Sequence, residues 1–256
     1  MEAGAGARGD HARGSVHTGH LIDFHVHTPV SRCYGEDGVG AADIVRAAVA
    51  AGLDAMVVCD HHSPAALDDV RAAAQGTGVA VFPSMEITTA QGHLLALFDP
   101  PTRCGTLRDL LADLSVPDHH HGNGSHVIGP AMADVIDAVT AAGGLAIPAH
   151  VDRWPNGFLE APSDLRTRRA IHEHEHIVAI EITLPATQAA WQAGATPGYR
   201  RPLACVQGSD AHATYEVGRR PTLVATHDLT VAGLRTAFRR VGGVTTLAAP
   251  ASLGRR

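Results

Sequence analysis

Short apolar runs alternate with alanine-rich amphipathic stretches along most of this chain. The run "LIDFHV" (21–26) has the length and the β-branched and aromatic content of a strand. It is followed by "AADIVRAAVAA" (41–51), which has helical periodicity and is closed by Gly52. The pattern then repeats. "DAMVVCD" (54–60) reads as a strand, 64–75 as a helix, and "VAVFPSMEIT" (79–88) and "HLLALFD" (93–99) as strands. Helices are expected near 106–114, 131–142 and 230–240. Strands are expected at "GLAIPAH" (144–150), "HIVAIEIT" (176–183), "PLACVQGSDAH" (202–212) and "TLVATH" (222–227). Such alternation predicts an α/β domain with parallel strands joined by crossovers, as an open sheet or as a barrel. The segment "VPDHHHGNGSHVIGP" (116–130) breaks the pattern and reads as a mobile loop.

Polar residues fall at particular places in this pattern. The first strand runs into His25 and His27, which alternation places on one face with Asp23. The second ends in Asp60, His61 and His62. Glu86 lies in the third and His93 opens the next. Later strands end in His150 and in Asp210 and His212. Parallel strands bring their C-terminal ends to one side of a domain, where α/β enzymes keep their chemistry. Random surface histidines would instead scatter over both ends and the helices. About eight nitrogen and oxygen donors exceed the four of one tetrahedral site, and suit two or three cations bridged by carboxylates. Imidazole and carboxylate with little sulfur favour zinc, manganese or iron(II).

Composition narrows the alternatives. With 256 residues the chain can form one large domain, expected over 21–256 behind a disordered Gly/Ala/His-rich leader at 1–20. Its 20 basic and 26 acidic residues argue against a general nucleic-acid or anionic-membrane surface. No run of apolar residues is long enough to span a membrane. The four scattered cysteines, Cys33, Cys59, Cys104 and Cys205, fit a reduced, cytoplasmic setting. No G-x-G-x-x-G follows the first strand and no G-x-x-x-x-G-K-[ST] occurs, so a nucleotide-cradling loop is not expected.

The motifs "DFHVHT", "CDHH", "MEIT…GHLLAL", "AIPAH" and "GSDAHATYEVGR", in that order from about residue 21 to 227, together resemble the polymerase-and-histidinol-phosphatase (PHP) superfamily. The resemblance implies a distorted, TIM-like (β/α)7 barrel, a trinuclear metal site and phosphoester hydrolysis. It places metal ligands on His25, His27, His61, Glu86, His93, His150, Asp210 and His212. A further ligand would be Asp37, by its following Gly38, or Cys33, by its distance from His27. The harder Asp37 matches the other ligands better. Asp60 is expected to orient His61 or to cap a helix, and Asp23 to support the histidines on its face.

Other residues carry weaker expectations. Arg153, three residues beyond His150, is the first candidate for phosphate, with Arg219, Arg32 and Arg200 behind it. His212 or His62 is expected to protonate the leaving group. Trp154 would stack on a base or merely pack. The stretch "HEHEH" (172–176) precedes its strand, so it is expected on the face away from the ligands. His119, His120, His121 and His126 are expected in solvent. The function expected is a phosphatase of a small phosphomonoester or nucleotide. The alternatives are a nuclease or phosphodiesterase acting on short oligonucleotides, and a catalytically silent metal-binding interaction module.

Overall fold

The computed structural model describes residues 19–240 and 242–247. Most of the leader expected at 1–20 lies outside them, while Gly19 and His20 open the first strand. Ten strands and seven α-helices are present among the described residues. They run in the order β1 (Gly19–Val26), α1 (Ala41–Ala50), β2 (Ala55–Val58), α2 (Leu67–Ala74), β3 (Ala80–Pro83), β4 (Glu86–Thr89), β5 (Gly92–Leu97), α3 (Cys104–Asp113) and α4 (Met132–Ala141). Then come β6 (Leu145–Pro148), α5 (Leu165–His172), β7 (Ala179–Glu181), α6 (Gln188–Gln192), β8 (Ala204–Val206), β9 (Thr222–Ala225), α7 (Val231–Phe238) and β10 (Val244–Thr246).

The strands form three sheets rather than the expected (β/α)7 barrel. One has the order β10-β9-β1-β2-β3, the second β4-β5-β6 and the third β7-β8. Only β1-β2-β3 and β7-β8 are parallel; β9, β10 and the whole second sheet pair antiparallel. For β4 and β5 the reason is chain length. Only Ala90 and Gln91 separate β4 from β5, which suffices for a hairpin but not for the dozen or so residues of a crossover. The apolar stretch 79–88 is also not one strand: it breaks at Ser84 and Met85, so β3 and β4 enter different sheets.

Alternation along β2 shows how the layers pack. Ala55 and Val57 face a core shared with Ile22, Phe24, Leu95, Ile147 and Val206, whereas Met56 and Val58 face α1 and α2 through Ile44, Val45 and Val70. A third core buries α3 and α4 on the second sheet through Leu107, Leu110, Val135 and Val139. The β1–β2 register slips between Asp23 and Val26. Such an irregularity re-aims side chains at a strand end, and here it falls on His25. Isolated bridges Val26–Ala211 and His61–Glu86 join the sheets beside these histidines.

Candidate metal centre

Glu86, 1% exposed at the start of β4, is the hub of the site. Its Oε2 lies 3.3 Å from His25 Nε2, 3.2 Å from His27 Nε2 and 3.1 Å from His61 Nδ1. Its Oε1 lies 2.7 Å from His93 Nδ1 and 3.0 Å from His150 Nε2. One carboxylate thus faces five imidazoles. Burial alone would raise its pKa, but His25, His61 and His93 hold it well below the usual range. Glu86 and His93 come from the antiparallel β4–β5 pair, where Thr88 is opposite His93 and Glu86 is its diagonal neighbour. The clustered side chains are therefore not confined to ends of parallel strands.

Second contacts fix which ring nitrogens can bind. His25 Nδ1 donates to Glu181 Oε2 at 2.9 Å, a carboxylate that can only accept. The Ser31 hydroxyl donates to Asp60 Oδ1 at 2.7 Å, so its oxygen accepts from His27 Nδ1 at 3.0 Å. In both rings Nδ1 is therefore committed and Nε2 is the atom left to face the cluster, and these two atoms are 3.0 Å apart. Asp210 Oδ1 joins them at 3.3 and 3.2 Å. Each of the two nitrogens thus lies 3.0–3.3 Å from the other three atoms of the group, near the ~3.4 Å edge of a tetrahedron around an ion bound at about 2.1 Å. A divalent cation satisfies all four at once. Without one, burial pulls His27 down, but hydrogen bonds to Asp210 and Glu86 more than compensate and lift it to about 9.

Two further groups overlap the first: His61, Glu86 and His93; and His27, His61 and His212. His61 is buried, and its Nδ1 has no hydrogen-bond partner. The donor set fits divalent metal binding. Burial, with His27 and His93 nearby, keeps His61 neutral by lowering it to about 3 despite Glu86. Three residues around this cluster hold left-handed backbone: His62 (φ 49°), His150 (φ 27°) and Asp210 (φ 51°).

A cavity of about 370 Å³ opens onto the cluster, lined by Arg32, Cys33, His61, Glu86, His93, Asn123, Gly124, Ser125, Arg153, Asn156, Asp210 and His212. Arg153 lies there, paired with Asp210 Oδ2, and is held charged by that carboxylate against burial. The segment 118–128 forms one wall and is tied down, not loose. Gly122 donates to the His61 carbonyl, Arg32 to the Gly122 carbonyl, and Ile128 to the Thr88 carbonyl, at 2.8–3.0 Å. A Cβ on Gly124 would sit 2.4 Å from His61 Nε2, so only glycine fits there. His119, His120, His121 and His126 belong to this wall without lining the cavity.

Other expected residues lie elsewhere. Asp37 is exposed, and no hydrogen bond or ion pair joins it to the cluster, whereas Cys33 Sγ lies 3.1 Å from His212 Nε2. His62 is fully buried, donating to the His126 carbonyl at 3.0 Å, and does not line the cavity. Arg219 binds Glu216 and the Ser209 carbonyl, and Arg200 is exposed away from the cavity. Asp60 accepts from Thr28 and Ser31 and acts through Ser31, whose oxygen takes both the His27 ring N–H and the His61 main-chain N–H. Asp23 accepts from the main chain of His25, Ser209 and Gly218, pinning the end of β1 to the Asp210 segment.

Glu181, Ser31, Asn123, Ser125 and Asn156 were not expected. Glu181 had a signal: an acid amid "HIVAIEIT" is a buried charge that needs a partner. It also holds the His150 N–H at 2.9 Å.

No protein-family model matches the sequence, and no curated protein matches it. Solved structures do. The lesion-specific endonuclease Q from Pyrococcus furiosus superposes with a TM-score of 0.69 at 17% identity, over 90% of this chain and 58% of that one. Endonuclease Q in complex with a 27-mer duplex carrying an abasic lesion gives 0.68 at 17% identity, over 89% and 58%. A two-domain protein from Bacteroides vulgatus containing a predicted PHP-like metal-dependent phosphoesterase gives 0.64 at 17% identity, over 96% and 70%. The chain has the PHP-like fold. The chain spans little more than half the length of the endonuclease. None of its helices, among the described residues, is long and apolar enough to cross a membrane.

Proposed function

We propose that this chain is a metal-dependent hydrolase of phosphoesters, acting first on a small phosphomonoester or nucleotide, in the cytoplasm. The observation that carries this reading is the meeting of His25 Nε2 and His27 Nε2 with Glu86 Oε2 and Asp210 Oδ1, each nitrogen 3.0–3.3 Å from the other three atoms, beneath a cavity of about 370 Å³. His25, His27, Glu86 and Asp210 would hold one ion, and His61, His93, His150 and His212 would complete places for one or two more, with Glu86 shared. Zinc, manganese and iron(II) suit these donors. Bound there, divalent ions withdraw charge from a phosphoryl oxygen and acidify water.

The chain's own groups do the rest. Arg153 is fixed by Asp210, and its free N–H groups point a planar fork toward a phosphate in the cavity. Asn123, Ser125 and Asn156 offer hydrogen bonds to the alcohol portion, and the 118–128 wall limits water. Neither role needs His62.

A second reading, cleavage of an oligonucleotide, is favoured by one feature. Trp154 is 77% exposed between two cavity-lining residues, Arg153 and Asn156, where a base can stack. That endonuclease Q has been crystallised on a lesion-bearing duplex is consistent with it. The test is phosphate release from a panel of phosphomonoesters and nucleotides, beside cleavage of single- and double-stranded oligonucleotides, with manganese or zinc, chelator and a His25→Ala control. Metal-dependent turnover of the monoesters supports the first reading, and cleavage of oligonucleotides alone supports the second. No turnover of either class by metal-loaded protein refutes both and leaves a silent metal-binding module.

A further inference from the structure

A second pocket, of about 280 Å³, lies at the ends of β7 and β8 away from the metal centre. Val178 and Leu203 line it just before these strands begin, whereas Glu181 ends β7 against His25 and Asp210 follows β8. Its floor is apolar, with Val178, Leu203, Phe238 and Val244 all buried. Its rim is basic: among the described residues Arg201, Arg239 and Arg240 line it, and no acidic residue does. The chain as a whole has a net charge of −6, so the sign is reversed locally. Arg201 is held by main-chain oxygens, its guanidinium donating to the carbonyls of His174 and Ile177, the latter at 2.7 Å. Arg239 and Arg240, just past the end of α7, are exposed, and neither side chain makes a hydrogen bond or ion pair among the described residues. Cations at a helix end can serve its last carbonyls, but neither guanidinium donates to one. Burial, and then the charge of Arg239, pull Arg201 and Arg235 below the ordinary guanidinium value, although Glu173 returns part of this to Arg201. Arg239 thus stands beside like charges with its donors unspent.

We propose that this pocket binds a small organic phosphate, with the phosphate on Arg239 and Arg240 and the organic part on the apolar floor. A planar guanidinium fork matches phosphate oxygens, and two unpaired forks with Arg201 behind them suit a dianion better than a single carboxylate. An inorganic anion would leave the floor unused, whereas an apolar or aromatic body covers Val178, Leu203, Phe238 and Val244. The volume is at the small end of ligand pockets, which fits one phosphorylated molecule rather than a polymer strand. The site is separate from the proposed function. It shares no lining residue with the metal cavity, so binding there needs no metal.

The test uses the full chain in chelator, so that nothing is turned over, with phenyl phosphate and AMP as probes in calorimetric titrations. Each is expected to bind with one equivalent, about tenfold or more tightly than inorganic phosphate. Arg239→Ala combined with Arg240→Ala is expected to weaken this binding by about tenfold or more. Arg153→Ala, in the metal cavity, is expected to leave it unchanged. Independently, phenyl phosphate is expected to slow phenylglyoxal modification of Arg239 and Arg240 in the wild type, located by mass spectrometry, while Arg46, which does not line the pocket, reacts as before. That readout survives even if the double variant misfolds. Tighter binding of AMP than of phenyl phosphate supports the proposal with a nucleotide as ligand; the reverse order supports it with a smaller body. Absence of binding by both probes overturns it, as does binding that survives the double substitution or that Arg153→Ala removes. Inorganic phosphate bound as tightly as the organic probes overturns it in favour of a nonspecific anion corner. An oligonucleotide bound at these arginines more tightly than AMP overturns it in favour of a nucleic-acid surface.

Discussion

Two parts of this molecule are dense in histidine, and they have opposite surroundings. Around Glu86, five buried imidazoles face one carboxylate, with Asp210 and Glu181 behind them. At 172–176, from the last residue of α5 onward, three histidines alternate with two glutamates, which in sequence is the more metal-like motif. There the carboxylate paired with imidazoles is the exposed Asp137, 3.4 Å from His174 and 3.7 Å from His176. His172 turns inward between Trp191 and Tyr199, at ring distances of 5.7 and 5.2 Å, with no well-formed hydrogen bond to either nitrogen. None of the three joins a metal-competent group among the described residues. Histidine density alone does not make a cation site. Buried acids placed on bare nitrogens do.

The comparison can be broken at its hub. Glu86→Gln removes the charge that five imidazoles share, and is expected to lower turnover by on the order of 1000-fold with loss of bound metal, measured by phosphate release and elemental analysis. A variant with wild-type metal content and rate would sink the assignment of Glu86. Glu181→Gln leaves the groups that face the cluster in place but gives His25 Nδ1 a neutral acceptor instead of a charged one, so metal affinity is expected to fall by about 10- to 100-fold with little change in the circular dichroism spectrum.

The other region responds to acid instead. Burial pulls His172 below its ordinary pKa of 6.5, and the main chain of Arg201 recovers only part of this. The folded chain therefore keeps it neutral while the unfolded chain protonates it. Its contribution to stability is complete above about pH 6.5 and is lost as pH falls from there toward the folded-state value. His172→Phe is expected to flatten that stretch of the stability-against-pH curve, read by denaturant melts; an unchanged slope would show that another group titrates. The smallest effect belongs to His174→Ala with His176→Ala, whose partner Asp137 is largely exposed. Metal content is expected to be unchanged, and stability to stay within ~0.5 kcal/mol.

Much of the architecture was legible because the apolar runs have strand and helix lengths. β1, α1, β2, α4, β9 and α7 lie within a few residues of where hydrophobic periodicity puts them. Strand direction was not legible from apolar runs, since an alternating pattern reads the same in parallel and antiparallel neighbours. The cue was the length of the link: Ala90 and Gln91 are too few for a crossover, so β4 and β5 do not fit the all-parallel barrel that the family resemblance implies. At the site, histidines and acids at the ends of apolar runs pointed to the cluster. Ser31 and Glu181 were harder to find, because each acts on a histidine distant in sequence or through a third residue. The choice between Cys33 and Asp37 turned on ligand hardness, whereas position in the cavity is set by how the main chain at 31–35 is clamped to Gly122 and His212.

The left-handed backbone at His150 and Asp210 has a consequence for how such a chain drifts under mutation. Each position holds a side chain that prefers another conformation, a cost of roughly 1–3 kcal/mol per residue, least for an aspartate. Glycine would relieve it at both. Selection for a sturdier fold and selection for cation binding therefore pull these two codons in opposite directions. Among descendants of this sequence, a pair of glycines here would mark a lineage that has traded its chemistry for thermal endurance, and a retained histidine and aspartate would mark one still under demand for the metal.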